Sequence, residues 1–192
     1  MNRKLWVLAI SSLTCLLSFG CASSHKTYPG PNGIVYRQDR QLQRVWLAKG
    51  FNFSGYDTVF VTETQAMIAP QREDSNAFDM ARRIVHQEFA AALQEKRLFQ
   101  NVVTREADIK PGARVLKFET WITEFRTARD GAFPVIGILG KMVDSGQPLF
   151  QFDSKRIGTS TVPNQTADIR SMAKALAEFI HRNFHWPMPP PL

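Results

Sequence analysis

Two stretches of this chain carry apolar residues along a single helical stripe, and that feature rules out most folds. The first runs from about Ala77 to Arg97. Phe78, Ala81, Val85, Phe89, Ala92 and Leu93 recur at the helical period, while Arg82, Arg83, Gln87, Glu95 and Lys96 fall on the other side. The second runs from about Ala167 to Phe184, with Ile169, Met172, Ala173, Leu176, Phe179 and Ile180 on one stripe. A helix with one apolar face has one face to bury, and two such helices need a sheet to cover. The expected fold class is therefore α/β (α+β layered), with a mixed or mostly antiparallel sheet of about 4–5 strands covered by the two helices.

The strands are sought between the helices and before the first. Tyr56 to Thr64 is rich in β-branched and aromatic residues and follows Ser54-Gly55. Leu98 to Val103 enters a short strand. Ala113 to Arg126 is the longest candidate, with Leu116, Phe118, Thr120 and Ile122 on one face and Lys117, Glu119 and Thr123 on the other. Val135 to Val143 and Leu149 to Ile157 flank Asp144-Ser145-Gly146-Gln147, which reads as a hairpin turn. Ile34 to Lys49 is mixed, with Val45-Trp46-Leu47 as a short strand. Asn76 and Thr166 are the expected helix caps.

The chain begins with a different kind of segment. Arg3 and Lys4 precede an apolar run from Leu5 to about Leu17, and Leu17-Ser18-Phe19-Gly20-Cys21 closes it. A basic start, a short apolar core and a small residue before the cut mark a secretory signal. The run is shorter than the ~20 residues of a spanning helix and is diluted by Ser11, Ser12 and Thr14. With Cys21 after the small residue, the segment resembles the bacterial lipoprotein signal, although Ser18 stands where leucine is usual. The resemblance implies cleavage between Gly20 and Cys21 and acylation of the Cys21 thiol, palmitate included. It also implies the outer membrane, facing the periplasm, because Ala22 occupies the position where aspartate signals retention in the inner membrane.

Removing residues 1–20 from the 192 leaves 172, enough for one domain with a real core. Cys15 leaves with the leader and acylation consumes Cys21, so no disulfide is available and packing alone holds the fold. The chain has 24 Lys and Arg against 17 Asp and Glu; two of the cations sit in the leader, which leaves a surplus of five. That surplus suits an anionic envelope component, and its scatter along the chain argues against nucleic acid. Residues 21–33, rich in serine, proline and glycine, read as a tether of up to about 40 Å at ~3.4 Å per residue. Residues 34–185 then form one α/β domain, and 186–192 form an extended Pro-rich tail.

Several of these features are similar to a family of small bacterial lipoproteins of unknown function. Their domain resembles in outline the ABC-transporter auxiliary lipoproteins and the curli-secretion lipoprotein. The resemblance is carried by Lys49-Gly50-Phe51-Asn52-Phe53-Ser54-Gly55-Tyr56-Asp57-Thr58-Val59, by Leu98-Phe99-Gln100-Asn101-Val102, and by Leu116-Lys117-Phe118-Glu119. The turn Asp144-Ser145-Gly146 and the Ala-rich last helix add to it. It covers roughly residues 45–184 and implies a fold without implying any catalytic residue.

Few residues invite chemistry. Glu178, His181 and His185 share a helix face at spacings of three and four, which is metal-ligand spacing; the plainer reading is a polar helix end with histidines at the negative end of the dipole. No metal and no cofactor is expected. His86 and Glu88 face different sides of their helix. Gly137-Ile138-Leu139-Gly140-Lys141 fails as a phosphate loop, since Val135 sits where its first glycine belongs and Met142 where Ser or Thr does. Phe133, Val135, Ile136, Ile138 and Leu139 form an apolar run with two readings, a contact patch for a partner or bilayer and a buried hairpin strand.

The expected function is a lipid-anchored periplasmic binding or interaction module of the cell envelope. It meets the membrane through the lipid on Cys21, binds another envelope protein, and performs no chemistry. The alternative is an accessory lipoprotein of an envelope transport system that binds an apolar ligand in an enclosed cavity. An enzyme has the least support, because no nucleophile–base motif is present.

Overall fold

The computed structural model describes residues 27–29, 34–39, 41–128, 132–158 and 165–184. The leader with Cys21, residues 129–131 and the Pro-rich tail lie outside them. Nine strands build one mixed sheet: β1 (Thr27–Pro29), β2 (Ile34–Asp39), β3 (Gln43–Ala48), β4 (Thr58–Val61), β5 (Gln65–Ala66), β6 (Asn101–Val103), β7 (Val115–Arg126), β8 (Val135–Asp144) and β9 (Gln147–Ile157). Their spatial order is β1-β2-β3-β9-β8-β7-β4-β6, with β5 beside the far half of β7. Helices α1 (Ser75–Glu95) and α2 (Gln165–Asn183) cover one face.

The layered class holds, but the strand count of four to five was too low. The long hairpin strands were legible because 10 to 12 residues show their alternation. β1, β5 and β6 have two or three residues each, too few for any period, and their pairing is imposed by the long neighbour. β1 also takes up three residues of the stretch read as a tether. The sheet is antiparallel throughout except at β4, β5 and β6, where β4 runs parallel to both β6 and β7, and β5 runs parallel to β7.

The core lies between sheet and helices and is built of rings. Phe89 and Phe118 stand 5.7 Å apart, Phe89 and Phe152 stack at 5.7 Å, and Phe150 lies 6.0 Å from Phe179. All five are buried, and each contributes roughly 1.5–3 kcal/mol of transfer free energy. Gly140 makes room for this stack: a β-carbon there would collide with the Phe152 ring. Helix starts differ from expectation. A 3-10 turn at Arg72–Asp74 runs straight into α1, so Asp74 rather than Asn76 caps it, and α2 begins at Gln165, which puts Thr166 inside its first turn.

Candidate functional site

The sheet face away from the helices carries no covering element among the described residues. Alternation along the strands assigns its side chains. Trp46, Gln151, Lys141 and Glu119 stand opposite one another across β3, β9, β8 and β7, and Asp153, Leu139 and Trp121 form the next row. These groups satisfy each other. Arg44 pairs with Asp153 at 3.0 Å, Lys117 with Glu119 at 2.7 Å and Lys155 with Glu124 at 2.6 Å. The Lys141 ammonium sits 5.2 Å over the Trp121 ring, whose indole N–H donates to Gln65 Oε1 at 2.9 Å. The result is a flat, half-buried surface of rings and paired charges, suited to contact.

The helices meet each other through a second set of charges. Glu88 accepts a forked pair of bonds from Arg170, the shortest 2.7 Å, and Lys96 pairs with Glu178 at 2.8 Å. Both pairs span the same sequence separation of 82 residues, which requires α1 and α2 to run parallel. Arg170 holds the Glu88 carboxyl below the ordinary carboxylate range, chiefly through those bonds, and Lys96 does the same to Glu178. A groove of about 620 Å³ opens beside these pairs, lined by Gln41, Lys96, Arg156, Arg170, Lys174 and Glu178 among others. Its lining sets these charged and polar side chains among Ala92, Ala167, Ala175 and Ala177.

At the end of the sheet near the β8–β9 turn, the Tyr56 hydroxyl donates to Asp144 Oδ2 at 2.7 Å. Burial, reinforced by that bond to a carboxylate, pushes the phenol up to about 12. Asp144 is pulled down in turn by the Tyr56 and Ser145 hydroxyls. The Arg114 guanidinium stacks 5.7 Å from the Tyr56 ring centre. A phenol held this firmly protonated is a poor base at neutral pH, so the cluster works as a clamp between the start of β4 and the β8–β9 hairpin.

The residues singled out from sequence are dispersed. Cys21 lies outside the described residues. Val135, Ile136 and Ile138 are buried, so the run they belong to is not a contact patch. It forms β8, a central strand whose Ile136 and Ile138 face the helices. Leu139 is half-buried on the open face, and Phe133, just before the strand, is exposed. The metal spacing also dissolves. Glu178 is engaged by Lys96 and by Arg182 (3.7 Å), His181 is exposed, and His185 lies outside the described residues. Among the described residues no group of three His, Cys, Asp or Glu could hold a metal ion. The His86 ring binds the Thr62 carbonyl at 2.9 Å and so fastens α1 to the strand beneath it. The open-face array escaped sequence reading, although the Lys117, Glu119 side of β7 was visible as polar.

No family model matches the chain, and no curated protein does. Solved structures do. The PelC dodecamer from Paraburkholderia phytofirmans matches at TM-score 0.52 and 14% identity, over 71% of this chain and 94% of the PelC chain. A leucine-to-methionine variant of that dodecamer in another crystal form matches at TM-score 0.50 and 17% identity, over 71% and 95%. A Xanthomonas campestris protein of the DUF330 family aligns over 69% of this chain and 83% of its own at TM-score 0.39 and 12% identity. At such identities the likeness to PelC is one of fold. It places residues of this chain in a layered α/β domain also found in a protein that assembles.

Proposed function

We propose that this chain is a lipid-anchored, non-catalytic binding module of the bacterial cell envelope, held by Cys21 at the outer membrane and facing the periplasm. One observation carries the reading: a basic and then apolar leader that ends Gly20-Cys21. The domain behind it supports the same view, since charged groups on its open face and between its helices are engaged with each other in pairs. No helix among the described residues is long and apolar enough to cross a membrane. The partner is another envelope protein or a further copy of this chain; the second option draws on the PelC dodecamer of like fold. The alternative of a bound apolar ligand has less support, because the layer between sheet and helices is filled by rings at zero or near-zero exposure.

The test is intact mass of the membrane-extracted protein, followed by crosslinking in cells. A mass of residues 21–192 plus acyl chains, lost in Cys21→Ala, is expected, together with one recurrent crosslinked envelope partner. An uncleaved or unacylated mass sinks the reading.

A further inference from the structure

Four large apolar side chains stand exposed among the described residues, and two of them, Phe133 and Ile157, adjoin at one end of the sheet. The four are Met67 (59%), Met80 (57%), Phe133 (50%) and Ile157 (59%). Ile157 closes β9 opposite Val135, two residues beyond Phe133, whose carbonyl accepts from Arg126 Nε at the end of β7. The Met67 N–H donates to Ile122 O on the far half of β7. Met80 lies two residues past Phe78, whose ring meets Phe125 at 5.2 Å. Exposed apolar residues scattered singly need no explanation, whereas a gathering at one end marks a contact surface.

The course of the chain says what that surface meets. β2 runs toward this end and finishes at Asp39, beside Gln43, whose amide donates to the Lys155 carbonyl. β1 is antiparallel to β2, so the chain enters β1 at Thr27 from this same end. Thr27 is level with Arg37, Val45 and Phe152, and Phe152 lies five residues before Ile157. Five strand residues span about 17 Å at ~3.4 Å each. Cys21 precedes Thr27 by six residues, a reach of about 20 Å at most. The six-residue step from Cys21 to Thr27 is thus just long enough for a lipid on Cys21 to reach the level of Phe133 and Ile157, with almost no length left for the domain to stand off.

We infer that this end of the domain rests on the bilayer that takes up the Cys21 lipid, with Phe133 and Ile157 in the headgroup layer. The inference rests on the lipid-anchor reading above. Lys155 is already paired with Glu124, and the side chains offered to the bilayer are apolar.

The experiment uses membrane-extracted, acylated protein reconstituted in vesicles of phosphatidylethanolamine and phosphatidylglycerol that contain a headgroup spin-labelled lipid. Cys15 leaves with the leader and Cys21 is acylated, so one introduced thiol takes a polarity-sensitive fluorophore. Phe133→Cys and Ile157→Cys are compared with Gln147→Cys, exposed in the hairpin at the opposite end. We expect a blue shift and several-fold stronger quenching at 133 and 157 than at 147. Quenching at 133 and 157 no stronger than at 147, in protein whose mass shows acylation and which floats with the vesicles, overturns the inference. A blue shift at 133 and 157 without quenching assigns the surface to a second copy of the chain and also overturns it. Protein that neither carries acyl chains nor floats defeats the anchor reading first, and the inference falls with it.

Discussion

The two faces of the sheet are made from the same strands and obey opposite rules. Toward the helices, β7 and β9 present Leu116, Phe118, Phe150 and Phe152, all buried and held only by shape. Away from the helices, the residues between them include Lys117, Glu119 and Asp153, which meet water and pair by charge. Shape complementarity carries stability because a void in a packed core has no substitute partner. Charge pairs at a wet surface are nearly exchangeable with water, so that face is free to be specified by what it binds.

This contrast can be broken by measurement. Phe152→Ala removes a ring stacked on Phe89 and should cost about 3–5 kcal/mol in urea unfolding. Trp121→Ala, on the open face of the adjoining strand pair, should cost about 1 kcal/mol, mostly the ring's contact with Lys141. Equal losses would show that the open face is covered in solution. Gly140→Ala should cost about 1–3 kcal/mol by overpacking against Phe152. Phe152→Leu in the same chain should recover part of that loss, a non-additivity read from the double-mutant cycle.

Titration sharpens the comparison with smaller effects. Tyr56 has a folded-state pKa raised above its unfolded value, so its contribution is complete below pH 10 and fades as pH rises towards about 12. In an ultraviolet titration, its phenolate should appear last among the tyrosines. Asp144→Asn should bring it down only in part, because burial is the larger cause. Glu88 and Glu178 have the opposite sign. Their folded pKa values are depressed, so the cross-helix pairs stabilise above the unfolded carboxylate range and fade as pH falls through the folded values. The acid-side fall in Tm should be slightly shallower in Glu88→Gln, and raised salt should reproduce part of that change.

Much of the fold is written in local periodicity. Every apolar residue assigned to the two helical stripes is buried in the core, from Phe78 to Leu93 and from Ile169 to Ile180. The face of β7 formed by Leu116, Phe118, Thr120 and Ile122 is buried as well. A period of 3.6 or 2 survives in sequence because burial acts on each turn or pleat alike. Phe53 was not legible: it sits at zero exposure in a 3-10 turn, in edge contact with Phe184 at 4.5 Å, and loops carry no period to reveal such a ring. The glycine at 140 carries no apolar side chain to signal burial, yet it is where Phe152 lies.

Sequence patterning was sufficient for the two helices, the long hairpin and the layered class, since each depends on neighbours a few residues apart. Folding in three dimensions settled the parallel pairing of β4 with β6 and β7, the 82-residue register of the helix charges, and the fate of the apolar run near Phe133. It buried Ile136 and Ile138 and left Phe133 outside. Those outcomes depend on which distant segment lies alongside, and contacts between residues far apart in the chain leave no periodic mark on either one.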